Sequence, residues 1–168
     1  MRRNYRDVTE LSPIVKQKHS AKIRQRVPRL YFKRVLLPVD GSENARRATR
    51  IAVDIAKKYQ ARLYVLHVIP VIYSSYSVGD YYKITWRDAK EIVAEAVSLG
   101  KSHGVTVTGR IIDLRASTVE AIADYAASKK VDLIVVGTRG RSGFKKLLLG
   151  SVASGIVSHA HCEVLVVR

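Results

Sequence analysis

The sequence has little of several features that mark whole classes of protein. Cys162 is the only cysteine among 168 residues, so no disulfide can form within the chain and nothing indicates an oxidising compartment. No apolar run reaches the roughly 18 residues that a membrane-spanning helix requires, and the amino-terminal segment lacks the apolar core of a secretory signal. These features predict a cytoplasmic protein with no membrane span.

Acidic residues are also scarce, at 14 Asp and Glu against 30 Lys and Arg. Residues 1–32 contain nine basic residues but only Asp7 and Glu10 as acids, with prolines at Pro13 and Pro28. We predict a basic, flexible extension over 1–32 and a folded domain over 33–168. Counterion release would draw such an extension to nucleic acid or to an anionic surface, whereas a solvated, solubilising tail explains the same composition.

The residue patterns of common catalytic and metal sites are missing as well. The chain has no serine-histidine-acid spacing and no pair of carboxylates placed for acid–base chemistry. His67 lies in an apolar run and is interpreted as a core histidine. His159, His161 and Cys162 are close in sequence, but a zinc site would need further ligands from distant segments. We therefore expect no catalytic residues, no metal site and no enzyme.

Apolar periodicity predicts an α/β fold in which five strands alternate with helices. A loop is predicted over 71–83, which is rich in tyrosine and serine, and a capping box over Ser117 and Glu120 begins the third helix. The strands are predicted over 35–39, 63–69, 105–112, 131–136 and 164–167, and the helices over 42–59, 84–99, 117–126 and 152–158. Such alternation favours one parallel sheet with helices on both faces, and ligands bind such sheets beyond the carboxyl ends of the strands.

A glycine pattern follows the fourth predicted strand. Gly137, Gly140 and Gly150 are separated by two and then nine residues. Glycine adopts positive φ and lets a ligand approach the backbone closely, so that main-chain N–H groups can bind an anion. The pattern is not a Walker A loop, because Gly143 is followed by Phe144 and not by Lys and Ser or Thr. It is not the dinucleotide fingerprint either, since that motif should follow the first strand.

Polar residues within and after this pattern also favour a phosphate ligand. Arg139 and Arg141 add positive charge. Ser151 is predicted to be a helix N-cap, where its hydroxyl, the free N–H groups of the first helical turn and the positive end of the helix dipole would face a phosphate oxygen. A glycine-punctuated turn with solvated arginines is the alternative.

The pattern G-x2-G-x9-G-S at Gly137, Gly140, Gly150 and Ser151 resembles that of the nucleotide-binding universal stress proteins. The segment Lys-Arg-Val-Leu-Leu-Pro-Val-Asp-Gly-Ser over 33–42 is similar to the first strand and Pro-x-Asp turn of the same family. The resemblance covers 33–168 and identifies a UspA-like domain of the ATP-binding subgroup. It implies a Rossmann-like three-layer sandwich of the adenine nucleotide alpha hydrolase-like type.

The resemblance also implies roles for individual residues. Asp40 would bind the ribose or the adenine edge, and Pro38 and Val39 would lie beside the base. Val68 would form an apolar wall, although an ordinary strand residue fits that position equally well. The glycine loop, with Ser151 and Val152, would hold the phosphates, and we add Arg139 and Arg141 to that role from their charge.

The implied ligand is ATP, or AMP or ADP, with Mg²⁺ arriving on the phosphates, and slow hydrolysis of ATP assisted by that Mg²⁺ stays open. The implied function is a stress-response regulatory or signalling module that dimerises through the last strand, 164–167. The Ser-Gly-Gly-x-Asp-Ser loop of the related ATP pyrophosphatases is absent after the first strand. Two alternatives stay open: a basic protein that associates with nucleic acid through its extension, and a scaffold that retains the motif without binding nucleotide.

Overall fold

A computed structural model describes residues 31–70, 78–114, 117–140 and 149–168. These residues form five strands and four helices in strict alternation. In chain order they are β1 (Arg34–Pro38), α1 (Glu43–Tyr59), β2 (Arg62–Pro70), α2 (Val78–Ser102), β3 (Val107–Leu114), α3 (Thr118–Ser128), β4 (Leu133–Gly137), α4 (Ser151–His159) and β5 (Glu163–Val167).

All five strands pair in parallel, in the order β3-β2-β1-β4-β5. The register places Val35 of β1 beside Leu63 of β2 on one side and beside Leu133 of β4 on the other. The chain adds β2 and β3 outward from β1, then returns to place β4 on the opposite side of β1. The winding direction therefore reverses between β1 and β4, and ligands of open parallel sheets bind at that reversal.

Both faces of the sheet are buried, which explains why its central strands are continuous apolar runs. Because side chains alternate across a strand, Val35 and Leu37 pack into one core while Leu36 packs into the other. The first core is completed by α1 and α2, and the second by α3 and α4. The predicted parallel sheet with helices on both faces is confirmed.

The bounds of α1 follow from its sequence. Ser42 is the N-cap, and its side chain accepts a hydrogen bond from the N–H group of Ala45. Small residues then recur on the buried face, where they allow the helix to approach the sheet closely. They are Ala45, Ala48, Thr49, Ala52 and Ala56. The helix ends at Tyr59, before Gln60 adopts a left-handed conformation with φ of 53°.

The prediction for α2 was wrong at both ends. The predicted loop 71–83 lies partly outside the described residues, but from Val78 onward the backbone is helical. Once a helix has nucleated, adding a residue costs little free energy. The helix therefore continues past both ends of the apolar pattern that predicts it. Gly100 does not end the helix: it is buried, and a Cβ there would lie 2.5 Å from a methyl carbon of Val107. The turn that follows α2 contains Gly104, at φ of +77°.

The remaining predicted elements are present, with ends shifted by one or two residues. The basic extension lies outside the described residues up to position 30, so its conformation and the boundary proposed at 32 stay predictions. In the described part of the chain, no helix is long and apolar enough to cross a membrane.

Candidate functional site

The reversal between β1 and β4 brings together two segments that lie about 100 residues apart in sequence. After β1, the carboxylate of Asp40 accepts a hydrogen bond from the N–H group of Ser42 at 3.0 Å. The Ser42 hydroxyl lies 3.3 Å from the carbonyl oxygen of Arg139, and Asn44 Nδ2 lies 3.4 Å from the same oxygen. The turn after β1 and the loop after β4 therefore form one unit.

A cavity of about 190 Å³ opens at this unit, beyond the carboxyl ends of β1, β2 and β4. Ten of the eleven residues proposed from the sequence line it. They are Pro38, Val39, Asp40, Val68, Gly137, Arg139, Gly140, Gly150, Ser151 and Val152. The eleventh, Arg141, lies outside the described residues.

The three glycines of the motif are required for close approach. A Cβ at Gly137 would lie 2.9 Å from the carbonyl carbon of Asn44, and one at Gly150 would lie 3.1 Å from the carbonyl oxygen of Thr138. A Cβ at Gly140 would overlap Oδ2 of Asp40. The expectation of positive φ was wrong for this motif, because the glycines with positive φ in the described ranges are Gly41 and Gly104.

The start of α4 also differs from the prediction. Gly150, not Ser151, is the N-cap, with φ of −72° and no side-chain capping bond, and Ser151 is the first helical residue. The N–H group of Gly150 donates to the carbonyl oxygen of Thr138 at 2.7 Å, which fixes the start of α4 next to the end of β4. The next three N–H groups, of Ser151, Val152 and Ala153, begin a helix and have no intrahelical acceptor. All three residues line the cavity.

The electrostatics of the cavity favour an anion. Parallel topology directs the amino ends of the helices to the carboxyl edge of the sheet, and residues from the first turns of α1, α3 and α4 line the cavity: Ala45, Thr118 and Ser151. Each helix amino end carries about half a positive charge. Arg139 adds a full charge at the rim. Asp40 is the carboxylate that lines the cavity in the described part of the chain.

His67 supports this architecture from the interior. It is buried, and its Nδ1 lies 2.7 Å from the carbonyl oxygen of Val39. A carbonyl can only accept, so Nδ1 carries the proton and donates. The N–H group of Val39 in turn donates to Leu66 at 2.8 Å. The side chain thus holds the end of β1 in place, in agreement with its interpretation as a core histidine.

Sequence reasoning missed several contributors to this cavity. Thr118 and Ile122 of α3 line it, as does Thr138, a buried residue of the loop that follows β4. The capping box was the available signal for α3: Ser117 does accept a hydrogen bond from the N–H group of Glu120, at 3.4 Å. Such a cap marks a helix amino end, which in this topology must lie at the ligand edge of the sheet.

Comparison with known proteins agrees with this geometry. The model of the universal stress protein family matches residues 31–168. A universal stress protein of Methanocaldococcus jannaschii is 32% identical over 145 residues, which cover 82% of each chain.

Solved structures show the same fold. The UspA protein of Lactobacillus plantarum superimposes with a TM-score of 0.73 at 27% identity, over 82% of this chain and 98% of that one. A universal stress protein in complex with cAMP superimposes with a TM-score of 0.65, also at 27% identity and over the same shares. On its sequence motifs, its fold and these matches, the chain belongs to the universal stress protein family.

Proposed function

We propose that this protein binds an adenine nucleotide in the cavity between β1 and β4. The observation that carries the proposal is the contact between Gly140 and Asp40: any side chain at position 140 would overlap the carboxylate. Because position 140 has no side chain, the Asp40 carboxylate keeps its place and lines the same cavity as the first residues of α4. The cAMP complex of a relative with this fold supports the choice of an adenine nucleotide.

The two sides of the cavity suit the two parts of a nucleotide. Val39, Leu66 and Val68 are buried apolar residues and would pack against the base. Asp40 would accept hydrogen bonds from ribose hydroxyl groups. The amino end of α4 would hold the phosphates, because its N–H groups and its dipole both favour negative charge.

We further propose that the physiological ligand is ATP, with AMP and ADP as alternatives. Mg²⁺ would enter with the phosphates and take its ligands mainly from them and from water. The signal would be the binding of the nucleotide and not its hydrolysis, so that the protein serves as a regulatory or signalling module in a stress response. The one carboxylate lining the described cavity is already hydrogen-bonded to the Ser42 N–H group, which leaves it poorly placed to act as a general base.

Mass spectrometry of freshly purified, undialysed protein should detect an adenine nucleotide, and calorimetry with ATP, ADP and AMP, with and without Mg²⁺, should rank the ligands. In Gly140→Ala the new methyl group displaces the Asp40 carboxylate, and we expect affinity to fall at least tenfold. Gly104→Ala is the matched control. Its Cβ would meet nothing within 4 Å, and it lies at the opposite end of the sheet, so it should retain binding despite its positive φ.

Failure of all three nucleotides to release or absorb heat would refute nucleotide binding. Equal loss of affinity in Gly140→Ala and Gly104→Ala would refute the role assigned to the cradle.

We also propose that the protein is a homodimer formed through β5. This strand lies at the edge of the sheet, and Leu165 on it is 37% exposed. An edge strand that presents apolar side chains and unpaired main-chain groups requires cover. Light scattering at micromolar concentration should give twice the chain mass of 18.8 kDa, and Leu165→Glu should give the monomer. A monomeric parent protein would overturn this proposal.

A further inference from the structure

The end of the sheet opposite the cavity, where the strands begin and the helices finish, is strongly basic. Parallel topology gathers every helix carboxyl end there. Lys57 and Lys58 lie in the last turn of α1, and Lys101 lies in the last turn of α2. Lys129 and Lys130 follow α3 directly, and all five of these residues are exposed.

The strand starts add three more basic residues to the same end. Lys33 directly precedes β1, Arg34 begins β1, and Arg62 begins β2. Hydrogen bonds fix this cluster, since the N–H group of Arg62 donates to the Lys33 carbonyl oxygen at 2.9 Å and Arg34 pairs with Arg62 across the two strands. We call these eight residues the amino-end face.

Little acid compensates this charge. The carboxylate of Asp132 accepts from the N–H groups of Lys33 and Arg34 at 3.1 to 3.2 Å, so its oxygens are engaged by the main chain. Glu163 lies at the start of β5, and Asp54 and Asp124 lie in the next-to-last turns of α1 and α3, so four acids stand against the eight basic residues. Within the described ranges, the ion pairs involve Arg46, Arg47 and Arg87, all of which lie elsewhere.

Helix stability accounts for only part of this arrangement. Lysines in a last turn interact favourably with the helix dipole. Lys33, Arg34 and Arg62 lie at the starts of strands and gain nothing from it. Placing eight like charges at one end of a domain costs self-repulsion, which a bound polyanion would relieve.

Further basic residues precede Lys33 in the sequence. Residues 1–32 contain nine Lys and Arg against two acids.

We propose that the amino-end face binds the phosphate backbone of nucleic acid without reading its sequence. Nucleic acid fits better than an anionic membrane, because membrane surfaces are held by several apolar side chains as well as by charge. Of the large apolar side chains that are exposed in the described chain, Tyr31 and Val157, which is in the last turn of α4, lie at this end. The surface lies at the opposite end of the sheet from the nucleotide cavity, and the proposal does not depend on that cavity being used.

The test compares two full-length variants that each lose three positive charges from the same part of the fold. The first, Lys57→Gln/Arg62→Gln/Lys101→Gln, removes charge from the amino-end face. The matched control, Arg50→Gln/Arg87→Gln/Lys90→Gln, removes exposed charge from α1 and α2 away from that face. Binding to a fluorescent 24-base-pair duplex of arbitrary sequence would be followed by anisotropy across a range of KCl concentrations.

Each phosphate contact contributes about 0.9 to the slope of log K against log salt, and thus roughly eightfold in affinity at 0.1 M salt. We expect the first variant to bind at least tenfold more weakly, with a slope shallower by about 2 to 3, and the control to change by less than twofold. If the first variant binds ATP as tightly as the parent protein does, its weaker binding to the duplex cannot come from a change in the nucleotide cavity.

Equal weakening in both variants would assign any binding to net charge alone and would overturn the proposal. No weakening in either variant, or binding to phosphatidylserine vesicles without binding to the duplex, would overturn it as well.

Discussion

Replacing Gly137 with alanine should destabilise the domain through a contact with the backbone. The added Cβ would lie 2.9 Å from the carbonyl carbon of Asn44 and 3.0 Å from its carbonyl oxygen. Asn44 lies in the first turn of α1, and that turn is held by the Ser42 cap and by the hydrogen bonds to the Arg139 carbonyl oxygen. The strain can therefore be relieved only by moving α1 away from β4. Overpacking of this kind costs about 1 to 3 kcal/mol.

The expected change in melting temperature follows from the size of the domain. An unfolding entropy of about 2.1 cal/mol/K per residue gives roughly 290 cal/mol/K for a domain of about 140 residues. A loss of 1 to 3 kcal/mol then lowers the melting temperature by about 3 to 10 °C. Thermal and urea unfolding, followed by far-ultraviolet circular dichroism, would measure both quantities.

Gly140→Ala is the comparison, because its Cβ meets the end of a side chain, Asp40, and not a backbone. That carboxylate can rotate away, so we expect a loss below about 0.5 kcal/mol, within the range of ordinary surface substitutions. A Gly137→Ala protein as stable as its parent, or equal losses in the two variants, would refute the assignment of Gly137 to backbone packing.

Two further predictions concern the cap of α1 and the single cysteine. Ser42→Ala should cost about 1 kcal/mol as a lost N-cap, and more than Ser117→Ala, because Ser42 also contacts Arg139; equal losses in urea unfolding would count against that long-range contact. Burial, with smaller contributions from Glu163 and Asp132, raises the pKa of the Cys162 thiol from 9.0 to about 11. Because thiolate is the reactive form, iodoacetamide should modify Cys162 about 100-fold more slowly at pH 8 than it modifies an unhindered thiol with a pKa of 9.0, and the rate should still be rising at pH 10. A rate that levels off near pH 9 would contradict the raised pKa.

Much of the fold was predictable because burial on both faces leaves a strong pattern in the sequence. The strand Leu133–Gly137 consists of four apolar residues and a glycine. Such a composition is typical of a strand that helices cover on both faces of the sheet. The position of the cavity followed from the same reasoning, since parallel strands place their carboxyl ends at one edge. Asp40 follows β1 and Gly137 ends β4, so this reasoning predicts that the two residues lie near each other.

What the sequence could not reveal was the reason for each glycine. Gly100 looks like a helix terminator, yet it is a packing position whose missing side chain accommodates Val107. Gly104 looks unremarkable and lies in the turn with a left-handed backbone. Glycine serves both purposes equally well, and the distinction depends on neighbours that lie far away in sequence.

The same ambiguity applies to the family motif, and resolving it changes what the motif means physically. Gly137 accommodates the backbone of α1, Gly140 accommodates the carboxylate of Asp40, and Gly150 accommodates Thr138 within the loop itself. None of the three is needed for a left-handed turn. The spacing therefore encodes how closely the loop after β4 packs against the turn after β1, and the main-chain N–H groups at the amino end of α4 become available to an anion because that packing holds the loop in place.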